Sequence, residues 1–351
     1  MQKMRVGIVG AASLTASVLV RLLAQHKDAE ITLLASETKV GKEMGEIHRE
    51  LRGVTHRKFT PYNPEEIMDR CDVAFICKSH GEFLERTAEL VNLAQRLKCG
   101  LKVIDLSADY RLHNPALYPA WYNFEQKNFD LLKHATYGLT EIHTKEIKKA
   151  SFIANPGCYP TCVTLGVAPL FRAKVIDGNV SIVDAYSGVS GAGLRPNERN
   201  MAMNTMENIL PYRVGSHPHT AEMEQELTLL AGTESKVTFT PHVASFKYGM
   251  LATIYLKLKT RMEHRAILDL YQEFYAGRPF VQFLPEGEYP EVADVVGTNV
   301  CEVGFVNDRR TETLVVMSAI DNLIKGGSGQ AVQNMNLMFE REETEGLPVL
   351  R

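Results

Sequence analysis

The sequence predicts an α/β protein of two domains, a Rossmann-type parallel-sheet domain followed by an α+β catalytic domain with a largely antiparallel sheet. Three observations predict it. The chain opens on an apolar strand, Arg5–Gly10, that runs into a glycine turn and a helical stretch from about Thr15 to Gln25. Apolar strands then alternate with helices up to about residue 154, the rhythm of a doubly wound sheet. From about Ile176 the strands lengthen and only one clear helix, Glu263–Phe274, lies between them, as in an α+β domain. We therefore assign residues 1–154 to the first domain and 155–325 to the second. Residues 326–351 carry a C-terminal helix that completes the first domain.

In the first domain, Val18, Leu19, Leu22 and Leu23 form one apolar face of the opening helix. Ala29–Ser36 reads as the second strand, Cys71–Cys77 as the third and Lys102–Ser107 as the next, with a helix at about Glu82–Arg96. The aromatic run Tyr118–Phe124 reads as irregular packing. The opening unit is that of a dinucleotide-binding fold, but its glycine fingerprint is half present. Gly7 and Gly10 remain, while Ser13 and Ala16 stand where small or glycine residues are usual. A serine at that point makes a positive φ costly. Glu37, just past the second strand, suits a ribose 2′-hydroxyl and repels a 2′-phosphate. Lys39 and Lys42 lie close by with the opposite charge.

At the domain junction, Ser151–Ala154 reads as a short buried strand, followed by Asn155-Pro156-Gly157-Cys158-Tyr159-Pro160-Thr161. Pro160 suits a helix first turn, and the early part of Cys162–Leu170 can continue that helix. Cys158 then sits at a helix N-terminus, where unpaired N–H groups and the helix dipole favour a thiolate nucleophile and an oxyanion. In the second domain, strands are expected at Val180–Ser187, Lys236–Thr240, Met250–Lys259 and Thr313–Ser318. A glycine- and serine-rich loop, Gly188–Pro196, opens an irregular region that reaches Gly215. His217-Pro218-His219-Thr220-Ala221-Glu222 precedes a helix, with Thr220 as the expected N-cap. A cysteine with such a histidine supplies a nucleophile and a general acid/base near neutral pH. Gly327–Phe339 reads as the last helix, packing through Ala331, Val332, Met335, Met338 and Phe339.

Composition narrows the functional classes. A net charge of −3 over 351 residues gives no basic field for nucleic acid. No apolar run approaches the ~20 residues that span a bilayer, and no signal-peptide pattern precedes the first strand. The cysteines at 71, 77, 99, 158, 162 and 301 show no metal or disulfide spacing. Free thiols in a reducing cytoplasm and no resident metal are expected.

Several stretches together resemble the N-acetyl-γ-glutamyl-phosphate reductase family, the arginine-biosynthesis branch of the group that includes aspartate-semialdehyde and glyceraldehyde-phosphate dehydrogenases. They are Lys102–Leu112, Ile153–Thr161, Ser187–Gly193, His217–Leu227, Thr240–His242 and Met317–Phe339, spread over nearly the whole chain. The resemblance implies Cys158 as nucleophile, His217 or His219 as acid/base, and NADP as cofactor. It implies cofactor contacts at Gly7, Gly10, Ser13, Thr15, Ser36, Ser107, Gly188 and Asn322. It places substrate contacts at Asn155, Ser187, Arg111 and Arg195, with Arg213 a further candidate for an anionic group. The substrate is then a small-molecule acyl phosphate, and the chain a homodimer or homotetramer. Glu37 departs from the family, which often has an arginine there, and so makes NAD the alternative cofactor. Pro218 and Leu194 also stand where the family often has arginine. Rival expectations are a reductase of carrier-protein-linked α-aminoadipyl phosphate in lysine biosynthesis, a non-reducing Cys–His acyltransferase or hydrolase, and a catalytically silent dinucleotide-binding module.

Overall fold

A computed structural model describes residues 2–192 and 202–349. The chain divides into two compact units, Met1–Pro156 with Gly327–Leu347, and Gly157–Gly326 with the segment from Pro348.

The first unit is built on a six-stranded sheet. Its strands are β1 (Met4–Val9), β2 (Ala29–Ala35), β3 (Val73–Ile76), β4 (Lys102–Asp105), β5 (Thr136–Tyr137) and β6 (Phe152–Ala154). They lie in the order β2-β1-β3-β4-β6-β5, and every pairing is parallel. All four residues of β3 are buried, as a strand covered on both faces requires. The order reverses between β1 and β3, so a crevice opens at their carboxyl ends, where such sheets bind ligands. Gly10 closes β1 there with φ +74°, and a Cβ on it would lie 2.4 Å from the Cys77 carbonyl oxygen. Gly7 serves packing, since its Cβ would meet Cys71 Sγ at 2.7 Å.

The opening helix runs Leu14–Leu23. Ser13 is its N-cap and accepts from the Ala16 amide at 3.2 Å. Its φ is −77°, so the positive φ that would penalise a serine does not arise. The glycine expected there is replaced by a side chain that satisfies the helix end.

The last helix, Gly329–Met338, buries Ala331, Val332, Met335 and Met338 as expected, and its polar residues as well, while Phe339 lies just past its end and is half-buried. Gln330 and Asn334 both donate to the Gly138 carbonyl, at 3.0 and 2.8 Å. Asn334 also donates to the Asn155 side chain at 3.0 Å, and Gln333 to Glu141 at 2.9 Å. Gly138 allows this approach, since a Cβ there would lie 2.5 Å from Asn334 Nδ2. The stretch Tyr118–Phe124, expected to be irregular, is entered by a short helix, Leu117–Tyr122, with Tyr118 and Tyr122 buried.

The second unit carries a seven-stranded sheet in the order β11-β12-β13-β10-β7-β9-β8. The strands are β7 (Ile176–Gly188), β8 (Leu210–Pro211), β9 (Lys236–Ala244), β10 (Met250–Leu258), β11 (Val281–Phe283), β12 (Cys301–Asp308) and β13 (Thr313–Ile320). Pairings β7–β9 and β11–β12 are parallel and the other four antiparallel. The sheet is thus mixed and mostly antiparallel. Strands β8 and β11, at the two edges, and the interior strand β12 were not anticipated.

The helix after Gly157 runs Cys158–Arg172, through the whole of Cys162–Leu170 rather than its early part alone, and so carries Pro169 in its interior. A proline there removes the N–H that would bond the Leu165 carbonyl. Tyr275 supplies the missing donor, its hydroxyl bonding Leu165 O at 2.7 Å. Tyr271 bonds the next carbonyl, Gly166 O, also at 2.7 Å. The helix therefore continues because Tyr275, from a neighbouring segment, replaces the one donor that proline lacks. Gly166 lets it approach β13, where a Cβ would sit 3.0 Å from Ser318 Oγ.

The outward face of this sheet carries a lateral apolar row. Ile182 pairs with Tyr255, Tyr255 with Val315, and Val315 with Val306, across β7, β10, β13 and β12. Ile182, Tyr255 and Val306 count among the exposed large hydrophobic residues.

Gly10→Ala tests the crevice turn. The left-handed φ and the 2.4 Å clash should together cost about 1–3 kcal/mol or more. We expect a melting temperature lower by roughly 2–4 °C per kcal/mol. A variant that melts with the wild type would contradict the turn as described.

Candidate active site

The nucleophile turn forms because Gly157 is the N-cap of the Cys158–Arg172 helix, with extended φ/ψ of −73° and 157°. Cys158 is the first helical residue and is half-buried. The first-turn dipole favours negative charge on its sulfur. Thr161 returns both its amide (3.0 Å) and its hydroxyl (2.9 Å) to the Gly157 carbonyl, which closes the turn. The Gly157 amide donates to Glu222 Oε1 at 2.7 Å, and Glu222 is fully buried.

Crowding fixes the cysteine from the other side. A Cβ on Gly326 would lie 2.7 Å from Cys158 Cβ and 3.1 Å from its Cα. The second cysteine of the turn, Cys162, differs sharply. It is fully buried against Ser318 (Sγ–Oγ 3.2 Å), and burial pushes its thiol up to about 12. Cys162 is thus a packing residue, and Cys158 alone of this pair can act as a nucleophile.

The histidine helix spans His219–Ala231 and starts earlier than expected. Thr220 lies inside its first turn rather than capping it. His217 does that work: its carbonyl accepts the Thr220 amide (3.0 Å) and its Nδ1 accepts the His219 amide (3.1 Å). His217 is buried among Tyr159, Tyr212 and Phe239, with ring centroids at 5.5, 5.5 and 5.4 Å. Burial pulls it down to about 2, with smaller pushes from His219 and Arg213. His217 is therefore neutral at working pH, with its proton on Nε2. His219, the first residue of the helix, is half-buried and stands 4.8 Å from His217 and 6.0 Å from Tyr159 between ring centroids. The Tyr212 hydroxyl donates to the Tyr159 hydroxyl at 3.2 Å, and burial pushes Tyr212 up to about 12 with Cys158 adding to the effect. Cys158, Tyr159, Tyr212, His217, His219 and Glu222 thus form one cluster within the second unit.

Ser187, Gly188 and Asn322 lie in the same unit. Ser187 is buried and donates to the Gly188 carbonyl at 3.2 Å. Asn322 is buried, accepts from the Gly249 amide (2.7 Å) and donates to Ser190 (3.0 Å), which pins the turn after β7. Gly188 is needed because its Cβ would sit 2.7 Å from the Lys247 carbonyl oxygen. Arg195 lies outside the described residues.

The other expected residues belong to the first unit. Gly10, Ser13 and Thr15 form the turn and helix start at the crevice of the parallel sheet. This glycine cradle with its following helix N-terminus fits the phosphates of a dinucleotide. The Thr15 carbonyl also accepts from Ser328 Oγ at 2.8 Å. Ser36 is buried at the end of β2, and its amide donates to Thr60 O at 2.9 Å. Ser107 binds both oxygens of Asp105 at 2.8 Å, through amide and hydroxyl. Arg111 donates to the Leu106 carbonyl at 3.0 Å and offsets the buried Asp105 and Asp109, whose carboxyls burial raises. Asn155 spends its side chain on Gly327 O (3.1 Å) and Asn334. Among the described residues no group of three His, Cys, Asp or Glu could hold a metal ion.

Sequence reading passed over Gly326 and the roles of Glu222, Tyr159 and Tyr212. The Glu222 signal was present as a glutamate three residues past His219, and Gly326 as half of a Lys-Gly-Gly run.

Two outcomes follow from this geometry. Gly326→Ala must displace Cys158, and a shift near 1 Å should lower kcat about 10²-fold with the fold retained; unchanged turnover would refute the contact. Because the folded state resists protonating His217, the unfolded chain binds the extra proton between about pH 6.5 and 2. The wild type therefore loses stability on acidification below 6.5, by up to about 1.4 kcal/mol per pH unit from this residue. Paired melts at pH 7.5 and 4.5 should show His217→Phe gaining on the wild type at the lower pH, and a constant gap would contradict a buried neutral imidazole.

Comparison with known proteins agrees with both halves. The family described as "Semialdehyde dehydrogenase, NAD binding domain" matches residues 5–150, and "Semialdehyde dehydrogenase, dimerisation domain" matches 158–322. The N-acetyl-gamma-glutamyl-phosphate reductase of Moorella thermoacetica is 44% identical over 98% of this chain and 98% of its own. That of Halothermothrix orenii is 43% identical over 98% and 97%. Among solved structures, aspartate semialdehyde dehydrogenase II of Vibrio cholerae shares the fold at 18% identity, with a TM-score of 0.70 over 97% of this chain and 99% of that one. The NADP-bound Candida albicans aspartate semialdehyde dehydrogenase shares it at 16% identity and TM-score 0.61, over 96% and 99%. With its nicotinamide-binding first half, its Cys–His second half and these full-length relatives, the chain belongs to the N-acetyl-γ-glutamyl-phosphate reductase family of semialdehyde dehydrogenases.

Proposed function

We propose that this enzyme reductively dephosphorylates N-acetyl-γ-glutamyl phosphate to N-acetylglutamate semialdehyde, with NADPH as reductant, in arginine biosynthesis. The observation that carries the chemistry is the half-buried Cys158 at a helix start, clustered with one neutral and one half-buried histidine. The relatives' names support the N-acetylglutamyl substrate over a carrier-linked one.

The Cys158 thiolate attacks the carbonyl carbon of the acyl phosphate. The carbon–oxygen bond to phosphate breaks, inorganic phosphate leaves, and a thioester to Cys158 remains. When bound, the reduced nicotinamide supplies the hydride that reduces this thioester carbonyl. His219 gives a proton to the resulting oxygen. It takes that proton back as the carbon–sulfur bond breaks, which frees the aldehyde and restores the Cys158 thiolate. His219 has this role because His217 is held neutral with Nδ1 already engaged. His217 orients the start of the helix that carries His219. The parallel-sheet turn at Gly10 and Ser13 receives the dinucleotide phosphates.

Two copies associate through the open face of the second sheet. Its row of Ile182, Tyr255, Val315 and Val306, together with the dimerisation-domain match, supports this. None of the six cysteines is in a disulfide, which supports work in a reducing cytoplasm.

The test runs in the reverse direction: phosphate-dependent reduction of NADP with N-acetylglutamate semialdehyde. Cys158→Ser should abolish it. His219→Asn should lower kcat about 10²–10⁴-fold and erase the acid/base limb of the pH profile. His217→Phe should keep that limb. Full activity without Cys158 sinks the mechanism, and loss of the limb only in the His217 variant reverses the histidine roles.

A further inference from the structure

A residue in the loop that leaves β2 meets the adenosine ribose in open parallel sheets of this kind. Here it is Glu37, whose charge by itself favours a ribose 2′-hydroxyl and repels a 2′-phosphate. Glu37 does not act by itself. Its Oε1 accepts from Arg86 Nη1 at 2.9 Å, from the helix Leu84–Leu97 that follows β3.

Arg86 is oriented before any ligand arrives. Its guanidinium lies 5.5 Å from the Tyr62 ring centroid and 5.6 Å from that of Phe83. Those two rings pack edge-on at 4.9 Å, and the Tyr62 hydroxyl donates to the Arg86 carbonyl at 3.1 Å. The charged ends of the pair stay in reach of solvent, at 51% and 44% side-chain exposure. An ion pair this exposed contributes little and separates readily. A guanidinium on a phosphate can form two parallel charge-assisted hydrogen bonds.

We propose that Arg86 is the residue that recognises the cofactor's 2′-phosphate, and that Glu37 is its resident counter-ion, displaced when that phosphate binds. The selectivity element is thus a pair of residues 49 positions apart. The choice between NADP and NAD depends on which anion Arg86 holds. This rests on the dinucleotide-binding reading above and deepens it.

The experiment is calorimetric titration of the whole protein with adenosine 2′,5′-bisphosphate and, separately, with 5′-AMP, without turnover. The wild type should bind the bisphosphate more tightly. Arg86→Met should weaken the bisphosphate by about tenfold or more, the scale of a lost charge-assisted hydrogen bond, and leave AMP unchanged. Arg86→Lys, which keeps the charge but not the fork, should fall between. Glu37→Gln should strengthen the bisphosphate and weaken AMP. Tighter AMP binding by the wild type, or bisphosphate binding indifferent to Arg86→Met and Arg86→Lys, overturns the proposal while leaving a dinucleotide site intact. If neither nucleotide binds, the dinucleotide reading fails with it.

Discussion

The catalytic half of the molecule depends on one hydrogen bond, from the Gly157 amide to the buried carboxyl of Glu222. It joins the start of the nucleophile helix to the first turn of the histidine helix. Cys158 and His219 each occupy the first position of a helix, so the proposed nucleophile and the proposed acid/base both sit at positive dipole ends. The bond also occupies the amide of the residue before the nucleophile, which is then not available to an oxyanion. A buried polar group of this kind is costly to orphan, so the two helix ends hold one another in register.

Burial sorts chemically identical residues into different tasks. Cys158 and Cys162 lie one helical turn apart. One is half-buried at a helix end, and the other is sealed against Ser318 and driven towards the neutral thiol. His217 and His219 divide in the same way. The first is enclosed by three aromatic rings and acts as a neutral capping group, while the second is left nearer to solvent. The spacing of these pairs announces a site, but which member reacts is decided by neighbours far away in sequence.

That division explains what the sequence made legible. The alternation of strands and helices, the crevice turn at Gly10 and the helix start at Cys158 are local patterns, and they were readable. The full length of the helix from Cys158 was not legible because the donor that Pro169 lacks is supplied by Tyr275, more than a hundred residues later. Thr220 looked like a cap because local rules favour threonine, yet a histidine ring two residues before the helix satisfied the first turn instead. Gly326 gave no local reason to matter, because the atom it avoids belongs to Cys158. The short edges β8 and β11 and the strand β12 carry too little periodicity to stand out. For the helix through Pro169 and for Gly326 the missing information was a tertiary partner, not a misjudged propensity.

The buried amides of the last helix have a consequence for the order in which the protein is made. Gln330, Gln333 and Asn334 find their partners at Gly138, Glu141 and Asn155, all in the first half of the chain. Chains emerge from the ribosome N-terminus first, and domains usually fold as they emerge. Here the first unit to emerge has to wait for residues 327–347 before its interior polar groups are satisfied. The catalytic unit, encoded in the middle, has nearly all its sequence in hand earlier. The nascent dinucleotide domain is thus the part of this enzyme most in need of protection during synthesis.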